Sequence, residues 1–311
     1  MTLFGVVDAA YAKGTGTVNS KTQLKNSGYN SSRIGFRGVE DLGGGLKASF
    51  WLEAGVNNDD GSGQATSNNN QKAPGADPVI NARNQGLTFN RRSTVSLEGS
   101  FGEVRLGRDY TPQFWTETAY DPFGTNGVGT NIAAFKGDTT GVRASNSIGY
   151  LSPSFSGVKV WVQAYMGENV STDAAKAGDG NAFRVTYDNG PLSLALASSS
   201  TKTAALNVKN KTSNIGGSYD LGVAKLMLIS GNQKDAVNGT ELAKGTSVSA
   251  SIPFGAFTGK VGYLNDQLST KDKTSVGVDY ALSKRTTLEA NTYKVKGDAN
   301  QTYWAGVRHS F

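Results

Sequence analysis

Apolar and polar side chains take turns along most of this chain, which is the period of an extended strand whose two faces meet different surroundings. Val158, Val160, Val162, Ala164 and Met166 are opposed by Lys159, Trp161, Gln163 and Tyr165, and Val276, Val278 and Tyr280 alternate with Ser275, Gly277 and Asp279. Around Leu87, Phe89, Val95 and Leu97 the intervening positions are Thr88, Asn90, Arg92, Thr94 and Ser96, which predicts a further strand. Turn signatures separate the segments: Asp41 to Gly45, Gly99 to Gly102, Ser152 to Gly157, Asp188-Asn189-Gly190-Pro191, Asp220-Leu221-Gly222, Pro253-Phe254-Gly255, and Ala281 to Arg285. From the third onward the turns recur about every 28 to 34 residues, room for a strand, a loop and a returning strand.

Seven such turns join fourteen strands, and an unmatched first strand near Thr2 to Ala12 and last strand near Thr302 to Phe311 bring the count to sixteen. An even number of antiparallel strands lets the two ends meet and removes the unpaired edges that hydrocarbon forbids. The connections on the opposite side are long and polar, as at Asn57 to Gln85 and Ser171 to Asp179. A soluble sandwich shares the same period with its apolar face turned into a core, so the pattern leaves both architectures open. Tyr11, Tyr150, Tyr187, Tyr263, Tyr280 and Phe311 lie near predicted strand ends, where aromatic girdles meet a lipid interface, and this favours a transmembrane barrel.

Composition narrows the function. Only 37% of the 311 residues are hydrophobic, with 40 Gly and 7 Pro, a mixture suited to strands and turns; 13 Phe, 12 Tyr and 4 Trp argue for ordered packing. No stretch approaches the roughly 18 apolar residues of a membrane helix. No charged start with an apolar core reads as a signal peptide, and Met1 directly ahead of the strand-like Thr2-Leu3-Phe4-Gly5 reads as a start placed before a mature barrel strand. With no Cys and a single His at 309, thiolate, zinc-thiolate and Ser-His chemistries have no constellation to rest on, and no enzyme activity is expected. The acidic pairs Glu40-Asp41 and Asp59-Asp60 read as solvated turns rather than calcium ligands, and Gly14 with Gly16 and Gly127 with Gly129 lack the rest of a dinucleotide motif. No metal and no cofactor are therefore expected. The net charge of +6 suits anionic partners, but its Lys and Arg are dispersed, so nucleic acid is not an expected one.

Alternation also places the basic residues. Arg33 and Arg37 are four apart and share a face opposite Ile34 and Phe36. Arg92, Arg105, Arg184 and Arg308 fall on lumenal faces, as does Arg143 with Ser145 and Ser147 opposite Ile148 and Tyr150. Arg91 falls on the outward face unless a bulge shifts the register.

Several blocks are specific enough to resemble a known family. They are Thr2-Leu3-Phe4-Gly5-Val6-Val7-Asp8, Ser32-Arg33-Ile34-Gly35-Phe36-Arg37-Gly38, Glu40 to Ala48, Arg91 to Leu97 with Phe101 to Asp109, Tyr187 to Leu192, Leu282 to Thr286 and Gly306 to Phe311. Together they resemble the trimeric general porins of Gram-negative bacteria, in particular their betaproteobacterial anion-selective branch. The resemblance implies one domain over 1–311: a 16-stranded antiparallel barrel of the outer membrane, with short periplasmic turns, long external loops and an inward-folded third loop at 110–140. It implies a homotrimer amid outer-membrane lipid and lipopolysaccharide, passive diffusion of small anionic solutes, and a terminal Phe311 read by the barrel-assembly machinery. It singles out Arg37, Arg91, Arg92 and Arg143, with Arg33 beside them, as the basic constriction, and Glu53, Glu117 and Asp121 as its acidic counterpart. A substrate-specific channel for organic acids or phosphate, and an adhesin using the long loops, are the alternatives.

Overall fold

The computed structural model describes residues 1–311 apart from 16–21, 66–85, 125, 136–141, 169–177, 203–208 and 299–300. Parts of the expected long loops at 57–85 and 171–179, and the end of the 110–140 segment, therefore lie outside the described residues. The strands are β1 (Thr2–Thr15), β2 (Thr22–Asn26), β3 (Arg33–Gly43), β4 (Leu46–Gly55), β5 (Arg92–Gly99), β6 (Gly102–Tyr110), β7 (Arg143–Leu151), β8 (Val158–Tyr165) and β9 (Gly180–Asn189). They continue with β10 (Leu192–Lys202), β11 (Lys209–Asp220), β12 (Lys225–Asp235), β13 (Glu241–Phe254), β14 (Phe257–Asp266), β15 (Lys273–Ala281), β16 (Thr286–Val295) and β17 (Gln301–Ser310). One helix, α1 (Pro112–Ala119), and a 3₁₀ turn at Ile132–Phe135 lie between β6 and β7.

All seventeen segments form one antiparallel sheet, and β1 pairs with β17 from Val6↔Ser310 to Thr15↔Gln301, which closes it. The segments make sixteen barrel strands, because β2 and β3 are two halves of one: β1 pairs with β2 at Ala9–Lys13 and with β3 at Thr2–Val6. Residues 27–32 interrupt that strand. Asp8 of β1 faces the interruption and accepts backbone N–H bonds from Gly28, Tyr29 and Asn30 at 2.8, 2.9 and 2.6 Å, so the bulged backbone keeps its donors paired.

The predicted turns join the predicted neighbours. At one of the two-residue turns, Asn189-Gly190-Pro191, the chain reverses through Gly190 at φ +56°, a conformation that a side chain at this position would strain. One predicted strand is shorter than its pattern. Alternation began at Leu87, but the ladder begins at Arg92, because residues before it turn their polar groups to neighbouring loop backbone: Asn90 Oδ1 accepts from Gly55 N, and Thr88 Oγ1 donates to the Gln64 carbonyl. The side-chain acceptor at 90 takes the place of a ladder bond.

The burial is inside out. In β10, Leu194 and Leu196 are exposed, while Ala195 and Ala197 between them are buried; in β15, Val276 is exposed and Ser275 fully covered. Ser96, Gln163, Asn214, Gln233 and Ser249 line the interior, whereas Ile215, Leu228, Val248 and Val261 face out. A soluble core inverts this order, and a contiguous apolar exterior of this extent requires an apolar solvent. No described helix is long and apolar enough to cross a membrane, and the strands do the crossing. Exposed aromatics gather at the short-turn end, where Phe254 stacks on Phe257, Phe257 meets Tyr280 at a tilt of 38°, and Tyr150 donates its hydroxyl to the Phe101 carbonyl at 2.6 Å.

The lipid-facing assignment predicts that Leu196→Arg lowers folding stability in lipid vesicles by about 2–4 kcal/mol, whereas Leu196→Met leaves it within about 1.5 kcal/mol. Urea titration of the vesicle-inserted protein followed by tryptophan fluorescence measures both.

Candidate functional site

The segment after β6 folds into the barrel instead of away from it. Pro112 starts α1 at a position where a helix has no use for its missing N–H. Pro112, Gln113, Phe114, Thr116 and Glu117 are buried, and the helix rests on β8 to β11. The fastenings are polar as well as apolar. Arg184 Nε donates to Thr116 Oγ1 at 3.1 Å, and Asn214 Nδ2 donates to the Gln113 carbonyl and to Glu117 Oε1. Further along, Tyr120 and Phe135 pack on Ala195, Met227, Ile229 and Leu264, and Asn131 donates to Ser247 Oγ at 2.7 Å. Ser275 and Lys273 donate to the Gly129 and Thr130 carbonyls. The segment therefore lines one side of the lumen from β8 to β15 and narrows it.

Opposite α1, the wall of β3 to β7 carries the basic side chains. Glu53 of β4 accepts from Arg91 Nε at 2.6 Å and from Trp51 Nε1 at 3.0 Å, with Arg33 Nε 3.7 Å away. Arg92 lies 3.4 Å from Asp109, which also holds Arg105 at 2.7 Å; Arg105 binds Glu103 at 2.8 Å. Four guanidiniums, those of Arg33, Arg91, Arg92 and Arg105, thus share three carboxylates. Arg37 forms no ion pair among the described residues. It lies over Phe4 and Trp51, with Cζ 5.4 and 5.1 Å from the ring centroids, and Arg92 lies over the same indole at 4.7 Å. Arg143 lies 4.4 Å over the Tyr110 ring and donates to its hydroxyl, which Arg91 also reaches at 2.6 Å. Arg33, Arg91, Arg92, Arg143, Glu53 and the α1 face bearing Trp115 enclose a cavity of about 580 Å³.

Most of the expected basic residues are therefore brought together, Arg37 one step below the cavity and Arg105 two steps toward the short-turn end. Arg91 faces inward although plain alternation turns it out, because it sits in a bend ahead of the ladder. The alternation assigned to Arg143 with Ser145 and Ser147 also breaks, at a bulge opposite Gly107–Asp109 with Asn146 at φ +54°. Arg184 and Arg308 reach the lumen elsewhere: Arg184 fastens α1, and Arg308 binds Glu289 at 3.1 Å and lies over Tyr29.

The expected acidic counterpart is arranged differently. Glu53 stands among the arginines rather than across from them. Glu117 turns from the gap to Asn214 of the wall, and Asp121 accepts from Phe123 N, Asn131 N and Thr130 Oγ1 within its own segment. Their carboxylates build the inward loop, because a loop buried in a lumen must satisfy its own backbone donors. The acidic pairs of the turns behave likewise: Asp41 accepts from Gly43 N, and in the loop after β4 the Ser62 hydroxyl and amide hold the Asp60 carboxyl below the usual range. Trp51, Asp109 and Tyr110 escaped the sequence reading. Asp109 stood four residues from Arg105 in the same strand, a legible same-face pair, whereas the meeting of Tyr110 with Arg91 and Arg143 follows from no local spacing.

A closed barrel, apolar outside and polar inside, with a loop folded into its lumen, defines an outer-membrane channel. The family description "Gram-negative porin" matches residues 1–300. Outer membrane porin protein 32 of Delftia acidovorans is 38% identical, over all of this chain and 94% of the relative. An outer membrane porin protein of Bordetella pertussis is 27% identical, over 100% of this chain and 94% of the relative. Among solved structures, an anion-selective porin from Comamonas acidovorans superposes with a TM-score of 0.82 at 33% identity, covering 100% of this chain and 99% of that one. The OmpF of Salmonella typhi, with a TM-score of 0.76 at 16% identity, shares the fold. The chain belongs to the Gram-negative porin family, whose members in these comparisons are outer-membrane channels and not enzymes.

Asp121→Ala removes the acceptor of three donors, so the inward loop is expected to lose about 1–3 kcal/mol of stabilisation. Noisier open-channel current, and protease cleavage within 121–131 that the unmodified protein resists, are the observations that check it.

Proposed function

We propose that this porin is a passive, anion-preferring diffusion channel for small hydrophilic solutes, selecting at the gap between α1 and the β3–β7 wall. The surplus of guanidinium over carboxylate on that wall carries the reading. Guanidiniums remain charged at every working pH, and in a narrow wet gap a surplus positive charge lowers the electrostatic barrier for an anion and raises it for a cation. Arg33, Arg37, Arg91, Arg92 and Arg143 supply the attraction. Glu53 tempers it and fixes the orientation of its neighbours, while Glu117 and Asp121 hold the loop that sets the bore. The similar Comamonas acidovorans porin is described as anion-selective, which agrees with this assignment. Residues Arg105, Arg184 and Arg308 extend the positive lining above and below.

The same reading makes the protein a homotrimer in outer-membrane lipid and lipopolysaccharide, with Phe311 as its signal to the assembly machinery. An outer membrane protein of Vibrio cholerae that shares the fold was solved in a trimer form. The Phe311 backbone pairs with Gly5 in both directions, at 3.0 and 3.1 Å, so the terminal aromatic lies at the barrel seam.

In planar bilayers under a tenfold potassium chloride gradient, the reversal potential is expected on the chloride side. Arg37→Gln and Arg92→Gln each move it toward zero, and a reversal potential on the potassium side of the unmodified channel contradicts the proposal. Because the Debye length falls from about 10 Å at 0.1 M to about 3 Å at 1 M salt, the preference is expected to shrink as both chambers are concentrated. Conductance in graded salt measures this.

A further inference from the structure

The gap contains more apolar surface than an anion path requires. Four aromatic residues, Trp51, Tyr110, Phe114 and Trp115, line the same cavity as the arginines. Three of them are occupied. Trp51 carries Arg37 and Arg92, and Tyr110 carries Arg143 while stacking on Phe114, with centroids 5.1 Å apart and planes within 6°. Trp115 meets its neighbours by edge contacts alone, Tyr110 at 5.2 Å and 60° and Phe114 at 6.2 Å and 61°. Among the described residues no cation lies over it. It stands 40% exposed on the lumenal face of α1, where the other faces of the helix are buried against the wall.

An uncovered indole in a water-filled gap holds apolar area in contact with water, at roughly 25 cal/mol per Å² relative to a covered one. Across the cavity, Arg92 uses only its Nε, toward Thr94 Oγ1 and Asp109. Both terminal nitrogens of its guanidinium make no hydrogen bond among the described residues, which leaves the planar fork that matches a carboxylate in two parallel bonds. The Trp51 indole behind it fixes the plane of that fork. A bare inorganic anion uses the fork and leaves the indole wet. A flat ring bearing a carboxylate uses both, and the volume of about 580 Å³ lies within the roughly 300–1,000 Å³ range of sites for small organic ligands.

We propose that the gap binds small aromatic monocarboxylates of the benzoate type, with the carboxylate on the Arg92 fork and the ring against Trp115. This rests on the anion-preferring reading and names the solute class for which that site is shaped. Stacking of the two rings adds about 0.5–1.5 kcal/mol beyond area burial, a residence about two- to tenfold longer than that of a non-aromatic carboxylate of similar size.

The test is chloride current through single channels of the purified full-length protein in planar bilayers, with benzoate or cyclohexanecarboxylate added at equal concentration. The two anions have equal charge and similar size and differ in the flat π face. Benzoate is expected to interrupt the current with dwell times several-fold longer than cyclohexanecarboxylate. Trp115→Ala is expected to remove that difference, Trp115→Phe to restore part of it, and Arg92→Gln to shorten the interruptions by both anions. Equal dwell times in a channel whose reversal potential still favours chloride overturn the aromatic site and leave the anion reading standing, as does a benzoate dwell unchanged in both Trp115 variants. A reversal potential without anion preference sinks the parent reading instead.

Discussion

Hydrocarbon offers no partner to a backbone N–H or C=O, and the rest of the structure follows from that constraint. Each unpaired group at membrane depth costs several kcal/mol, so the sheet must close, and the β1–β17 ladder closes it over ten residue pairs. Closure fixes a lumen. With one face of every strand against lipid and the other against water, the alternation of apolar and polar residues becomes the map of outside and inside. Where the ladder is broken, at residues 27–32, a carboxylate substitutes for it: Asp8 takes three backbone donors that a continuous strand would have paired.

The same accounting explains why the inward loop is built from polar contacts. Its backbone lies within the barrel, so Asp121, Thr130 and Asn131 bind within the segment or to the wall, and Arg184 and Asn214 reach out of the wall to hold α1. Tyr29 joins the two irregular parts. Its hydroxyl donates to the Pro122 carbonyl at 2.8 Å, and its ring receives both Lys260 and Arg308, each cation held by a carboxylate, Asp279 or Glu289. The interrupted second strand thus braces the loop. The bore is defined between a braced loop and a wall whose guanidiniums are stacked on aromatic rings, so neither side of the gap hangs free.

Stacking shapes the electrostatics too. Arg37 and Arg92 on Trp51, and Arg143 on Tyr110, keep their charge while giving up part of their conformational freedom to an apolar surface. A guanidinium held this way presents its edge to the lumen in a fixed direction, which a solvated lysine on a flexible stem would not do. Glu53 contributes to the same order from below the surface of the gap, bound at once to Arg91 and to the Trp51 N–H.

The sequence by itself determined the strand period, the short turns, the even count of sixteen and the lumenal faces of Arg33, Arg37, Arg92, Arg105, Arg184 and Arg308, because each of these follows from residues within one strand or one turn. Resemblance to the porin family also marked 110–140 as an inward-folded loop. Tertiary structure alone decided the inward turn of Arg91, set by a bend whose polar partners come from the loop after β4, and the break in alternation at Arg143, set by a bulge against β6. It also decided that Glu117 and Asp121 hold the loop rather than face the arginines. Those outcomes depend on which strands and loops become neighbours across tens of residues, and a period of two, being local, carries no record of them.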